Sequence, residues 1–327
     1  MHDLFSIIRH SCSTKNLRLS QPKRILPIAY RIINKSSLDL KFIDEFFIYN
    51  LAICNPFAAS DQRRWAVLHP ACGGRQQSPI AIAARQAIPI SIPAMELIVA
   101  LTIPKYSSEE EKKGFRLPYI FGGPLDNEYE IEGLHFHWGD KNNRGSEHTL
   151  NDMRLPLEMH IIHRNKKYRN LAEALQHPDG LCVLAFFYQL LTPIVKNLSA
   201  IENYNTSMQL PHTFSLSSIL SGLDTERFYT YKGSLTTPPC AEAVTWVVFS
   251  DYLPISVFQM DNFRGLLSNL NLPLVDNFRQ LQPLFGRRIF VRITSKNPKF
   301  KKTKLHYSKW DWVGHKKAEN DVAEFDE

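Results

Sequence analysis

His135 and His137 bracket Phe136 inside a strand-like segment, Leu134 to Trp138. Alternation with a period of two puts both imidazoles on one face of a sheet, near enough to converge on a single ion. A pair of solvated or hydrogen-bonded histidines is at least as common, so two rings alone prove little. Glu158-Met159-His160 adds a second signal. The same alternation sets a carboxylate beside an imidazole, where it can take the ring N–H that a metal does not use and so fix the tautomer. Three neutral imidazoles from two strands leave one tetrahedral position open, the arrangement of a catalytic zinc. Other metal motifs fit less well. A cupin-type site also begins His-x-His but needs a carboxylate four or five residues on; Asp140 lies too near and Glu147 too far. Neither a His-Glu-x-x-His helix nor a Cys-x-x-Cys pair is present.

The elements that must carry these residues read as short strands. Tyr129 to Glu132, Leu134 to Trp138 and Leu157 to His163 alternate. Val244 to Phe249 and Arg288 to Ile293 are rich in Val, Ile and aromatics. Leu181 to Leu191 is a nearly continuous apolar run, suited to a strand buried on both faces, with a buried helix as the alternative. Helices are expected at Asn170 to Gln176 and at Ile255 to Leu267. The fold class is therefore mainly β with a few short helices. Apolar residues at 44% and charged residues at 22% exclude a disordered or polytopic membrane chain. Thirty-nine basic against 32 acidic residues give a charge of +7, much of it in the two ends of the chain. No nucleic-acid motif accompanies it, so solvated basic tails are expected and a nucleic-acid partner is not. No stretch reaches the ~20 apolar residues of a membrane helix, and no export signal is visible at the N-terminus. Residues 1–60 read as an extension of uncertain structure, 61–293 as the folded domain and 294–327 as a charged tail.

Seven segments, taken in order, resemble the α-class carbonic anhydrase family: Gln77 to Ile80, Gly122 to Leu125, Leu134 to Gly139, Gly145 to Thr149, Glu158 to His160, Gly233 to Pro239 and Val275 to Arg279. The resemblance spans about Trp65 to Ile293. It implies a single domain around a large twisted, mostly antiparallel β-sheet with zinc at the bottom of a cleft. It implies zinc-dependent reversible hydration of carbon dioxide to bicarbonate and a proton, with binding of sulfonamide-type inhibitors. His135, His137 and His160 resemble the zinc ligands, and Glu158 the carboxylate orienting His160. Thr236 resembles the gatekeeper hydroxyl, Glu147 its hydrogen-bond acceptor, and Thr237 a neighbour of the substrate. Ile162, Val183, Leu235 and Trp246 match the apolar wall of the carbon dioxide pocket; without the resemblance they read as core. Trp138, His148, Asn277 and Arg279 are assigned to structure. Cys72 and Cys240 match the disulfide of secreted and membrane-bound members.

The departures have consequences. The family's proton-shuttle histidine falls between Ile82 and Gly122, yet this chain has no histidine from Arg75 to Gly133. The stretch is also short, which reads as a deletion of the kind a splice isoform gives, and impaired proton shuttling follows. Gly133 stands where many members carry a glutamine that steadies the first ligand. Two alternatives stay open: a catalytically weak or silent carbonic anhydrase-related binding protein, and a destabilised isoform. The cysteine pair and sequons at Asn34, Asn197 and Asn205 lean toward the secretory route; the lack of a visible signal leans toward the cytoplasm.

Overall fold

A computed structural model of the chain describes residues 62–98, 118–187, 195, 198–204, 206, 224–252, 255–268 and 270–293. The expected N-terminal extension and C-terminal tail, and the sequons at Asn34, Asn197 and Asn205, lie outside the described residues.

Eleven strands are described: β1 (Ala81–Ile82), β2 (Ile88–Ile90), β3 (Met95–Ile98), β4 (Tyr119–Gly122), β5 (Tyr129–Trp138), β6 (Thr149–Leu150), β7 (Leu157–Asn165), β8 (Leu181–Phe187), β9 (Phe228–Gly233), β10 (Val244–Tyr252) and β11 (Phe290–Arg292). Nine form one sheet in the order β2-β11-β9-β10-β8-β7-β5-β4-β3, while β1 and β6 pair separately. Neighbours in the large sheet are antiparallel except β8 with β10 and β2 with β11. The expected large, mostly antiparallel sheet is observed.

The apolar run from Leu181 becomes a strand because it sits mid-sheet, with β7 on one side and β10 on the other and every residue of Leu181–Phe187 buried. Its side chains alternate between two cores. Cys182, Leu184 and Phe186 join Phe136, Trp138, Met159, Ile161, Val247 and Phe249 on one face. Val183, Ala185 and Phe187 join Tyr229, Tyr231, Val244, Trp246 and Val248 on the other. Alternation thus commits one face of β5, β7, β8 and β10 to packing and frees part of the other for a site.

Short helices close the periphery. The first, α1, spans Gln62–Leu68 and buries Trp65. Next comes α2, Leu171–Ala174, where the Asn170 side chain accepts the Glu173 N–H. The last, α3, is Val257–Arg264, begun by a capping box in which Ser256 and Gln259 satisfy each other's backbone N–H. Both expected helices are present and shorter than their apolar patterns. The turn after β4 depends on glycine: Gly122 has φ +78, and a Cβ there would lie 2.5 Å from the Ala94 carbonyl oxygen. Among the described residues no helix is long and apolar enough to cross a membrane.

Candidate metal centre

The register of β5 against β7 sets His135 opposite His160 and His137 opposite Glu158. All four side chains therefore share a face, as their spacing predicts. Ring centroids of the three histidines lie 4.7–5.1 Å apart, and one nitrogen from each falls within 4.8 Å of the others. His137 and His160 are each 1% exposed, whereas His135 is half-buried.

Neighbours fix the tautomers of two rings. His137 Nδ1 lies 2.9 Å from the Asn277 carbonyl oxygen, which only accepts, so Nδ1 carries the proton. Its Nε2 is buried with no hydrogen-bond partner. His160 Nε2 donates to Glu158 Oε1 at 2.7 Å, leaving Nδ1 as a lone pair 3.3 Å from His135 Nε2. Burial pushes His135 well below the ordinary imidazole range, and burial lowers His160 against the pull of Glu158. Burial would raise the Glu158 carboxyl, yet His148 and His160 hold it well below the usual carboxylate range. The result is neutral imidazoles aimed at one point and held by an ionised carboxylate and a carbonyl. His135 Nε2 can donate to His160 Nδ1 when no cation is bound, and both nitrogens can turn their lone pairs to one that is. The donor set fits a borderline-soft divalent ion such as zinc.

Glu147 is buried at the edge of this centre. Its Oε1 accepts the Arg279 N–H at 2.7 Å, and its Oε2 lies 3.4 Å from His137 Nε2 and 3.9 Å from His160 Nδ1. The resemblance pairs Glu147 with the Thr236 hydroxyl; the structure does not make that bond, because Oε2 faces the ring nitrogens and has no hydrogen-bond partner. Thr236 is buried and Thr237 half-buried in the loop between β9 and β10. That loop is braced by Leu235 N–H to the Ala241 carbonyl and Cys240 N–H to the Thr237 carbonyl. A disulfide joins Cys240 to Cys72 across 168 residues and packs with Trp65.

The apolar wall is a row across three strands: Ile162 opposes Val183, which opposes Trp246. Leu235 packs on the same cluster, and the Trp246 ring stands 4.8 Å from that of His160. Trp246 Nε1 donates to the Ser234 carbonyl, satisfying its polar edge inside the core. Sequence reasoning missed how Asn277 acts: its side chain accepts the Trp138 N–H and donates to the Phe136 carbonyl, which sets its own carbonyl against His137. Asn277 was visible as part of a motif; the Val275 to Arg279 segment was the available signal.

A sheet-borne cluster of three histidines, two of them clamped through their second nitrogen, is a group that could hold one metal ion. The eukaryotic-type carbonic anhydrase family model matches residues 60–293, and the chain belongs to that family. Carbonic anhydrase 7 of Mus musculus is 37% identical over 243 residues, covering 68% of this chain and 90% of that protein. Carbonic anhydrase 15 of Mus musculus is 35% identical over 255 residues, 69% of this chain and 78% of that protein. Carbonic anhydrase 1 of Mus musculus is 36% identical over 247 residues, 69% of this chain and 93% of that protein.

Proposed function

We propose that residues 61–293 form a zinc-dependent carbonic anhydrase domain that interconverts carbon dioxide and bicarbonate. The observation that carries this reading is the convergence of three neutral imidazoles whose second nitrogens are spoken for in two cases. Zinc held by His135, His137 and His160 would supply the Lewis acidity that makes water a nucleophile near neutral pH. Glu158 and the Asn277 carbonyl hold His160 and His137 in their ligating tautomers. Ile162, Val183, Leu235 and Trp246 exclude water from a patch suited to an uncharged, weakly dipolar substrate. Glu147 Oε2 is buried without a partner and would accept the Thr236 hydroxyl on turning from the ring nitrogens it faces, the Thr236 lone pairs then accepting from and aiming the attacking oxygen. Thr237 lines the same loop. Aromatic sulfonamides fit as ligands because their ionised nitrogen can both meet zinc and donate to Thr236.

Proton export is where this chain differs from its relatives' pattern. No histidine occurs from Arg75 to Gly133, so the proton leaves by solution buffer instead of a side-chain shuttle. The Cys72–Cys240 bond supports an oxidising, secretory compartment for the working protein. Metal analysis tests the core of the reading: close to one zinc per chain is expected, lost in His137→Ala, and a folded wild type without metal would sink it.

A further inference from the structure

Ser78 belongs to the Gln77-Ser78-Pro79 motif, far from the metal ligands in sequence, yet it closes a buried hydrogen-bond chain that starts on one of them. His160 donates to Glu158 Oε1 at 2.7 Å. His148 is tied to the same carboxylate twice, through Nδ1 at 2.7 Å from Oε1 and through its backbone N–H to Oε2 at 2.9 Å. The far nitrogen of His148 stands 2.7 Å from the Tyr231 oxygen. Tyr231 O–H can donate to that nitrogen and accept the Ser78 hydroxyl in turn, the two oxygens being 2.9 Å apart, and Ser78 Oγ also accepts the Ser234 N–H at 3.1 Å. In return, Ser78 N–H donates to Ser234 Oγ, and Ser234 Oγ–H donates to the Leu235 carbonyl. Glu158, His148, Tyr231, Ser78 and Ser234 are all at or near zero exposure. The chain therefore runs, with no solvent to substitute for a missing link, from a metal ligand to the start of the loop bearing Leu235, Thr236 and Thr237.

Gly233 shows that the space around Ser78 is built for this contact. A Cβ at Gly233 would fall 2.2 Å from Ser78 Oγ, 2.8 Å from the Trp246 ring and 2.9 Å from the Tyr231 ring. Any side chain there would push the hydroxyl off its two partners. A buried polar chain of this kind holds its members in one arrangement because breaking a link strands a desolvated donor or acceptor.

We propose that Tyr231 and Ser78 are positioning residues that couple metal occupancy to the order of the 234–237 loop. Metal on His160 fixes Glu158, Glu158 fixes His148, and through Tyr231 and Ser78 the backbone of Ser234, where the 234–237 loop begins, is held in one place. This rests on the zinc reading proposed above. A scaffold role alone would stabilise the fold without making the loop respond to metal.

The experiment compares wild type, Tyr231→Phe and Ser78→Ala, full chain, with and without zinc. Loop amides are followed by hydrogen exchange and zinc release by transfer to a chromogenic chelator. In wild type, zinc slows exchange across residues 234–241. In Tyr231→Phe that slowing is abolished and zinc leaves roughly 10-fold faster, the lower end of what outer-shell changes cost. Ser78→Ala keeps the His148–Tyr231 contact, so it loses the loop response while zinc release changes less; it also serves if Tyr231→Phe does not fold. Variants that are merely less stable, with zinc release and metal-dependent loop protection as in wild type, overturn the coupling. A wild type that takes up no zinc overturns the underlying reading and the coupling with it. A wild type that binds zinc without any change at the loop overturns the coupling alone.

Discussion

At the scale of single residues, ionisation decides how the centre behaves with pH. His163 lies on β7 facing away from the metal centre, fully buried, and burial lowers its pKa to about 3. In the unfolded chain it titrates near 6.5. Between those values the unfolded state holds a proton that the folded state refuses, so its contribution is complete above pH 6.5 and is lost as pH falls toward 3. Glu158 acts in the same direction lower down, its stabilisation lost as pH falls below the ordinary carboxylate range. Urea unfolding of the metal-free protein should therefore show stability falling by roughly 2 kcal/mol between pH 6.5 and 5 from His163 alone. His163→Gln should flatten that slope, and an unchanged slope would mean His163 is not the source.

Glu158→Gln is the matching test of ligand orientation. An amide can no longer accept from both His160 and His148 as an ionised carboxylate does, and zinc affinity measured by chelator competition should drop about 10- to 100-fold. The quartet His135, His137, Glu158 and His160 was legible in the sequence because the strand period is two and nothing interrupts it between Leu134 and Trp138 or along β7. The free Oε2 of Glu147 was not legible, since it depends on the Arg279 backbone, which arrives from 132 residues away.

Elements show the same division between local and distant causes. The strands β5, β7, β8 and β10 were readable from alternation or continuous apolarity, and α3 as a helix within 255–267, while its capping box at Ser256 and Gln259 emerged only from the structure. The irregularity in β5 was not readable either. Ile131 opposes His163 while Gly133 opposes Ile162, so Glu132 is an extra residue in the strand. Its carboxylate meets Arg164, which also binds Glu130. Burial raises the Glu132 carboxyl even against the Arg164 contact. In the hydropathy pattern the bulge shows only as a change of phase, with core residues at Tyr129 and Ile131 and then at Leu134, Phe136 and Trp138, which separates two alternating runs without naming the cause. For the wall, Trp246→Ala should cost about 3–5 kcal/mol in chemical denaturation, because the ring is fully buried between Tyr231, His148 and His160. A loss under 1 kcal/mol would mean that the wall is loosely packed.

For the whole molecule, the Cys72–Cys240 bond closes a loop of 168 residues. On the chain-entropy model that constraint is worth ~5 kcal/mol at most. Reduction should lower the melting temperature by roughly 10 °C, at 2–4 °C per kcal/mol for a domain of this size. The pairing came from resemblance to a family, not from spacing; the sequence alone offers five cysteines and no rule for choosing two. Turnover is the other global property. Its maximal rate should climb with imidazole buffer concentration, while isotope exchange between carbon dioxide and bicarbonate, which exports no proton, should be nearly indifferent to buffer. Equal turnover in dilute and concentrated buffer would reveal a side-chain shuttle.

The pairing of β2 with β11 has a consequence for how the protein is made. Ile88 lies beside Phe290 and Ile90 beside Arg292, partners 202 positions apart. A ribosome adding about 5–20 residues per second needs ~10–40 s to deliver the second strand after the first. During that interval the early segment waits with its backbone donors and acceptors open, while β5 and β7, close neighbours in the chain, can already form their ladder. Nascent chains stalled before residue 288 should thus be cut by protease around residues 88–90 and shielded around 129–165, whereas released full-length protein should resist at both places.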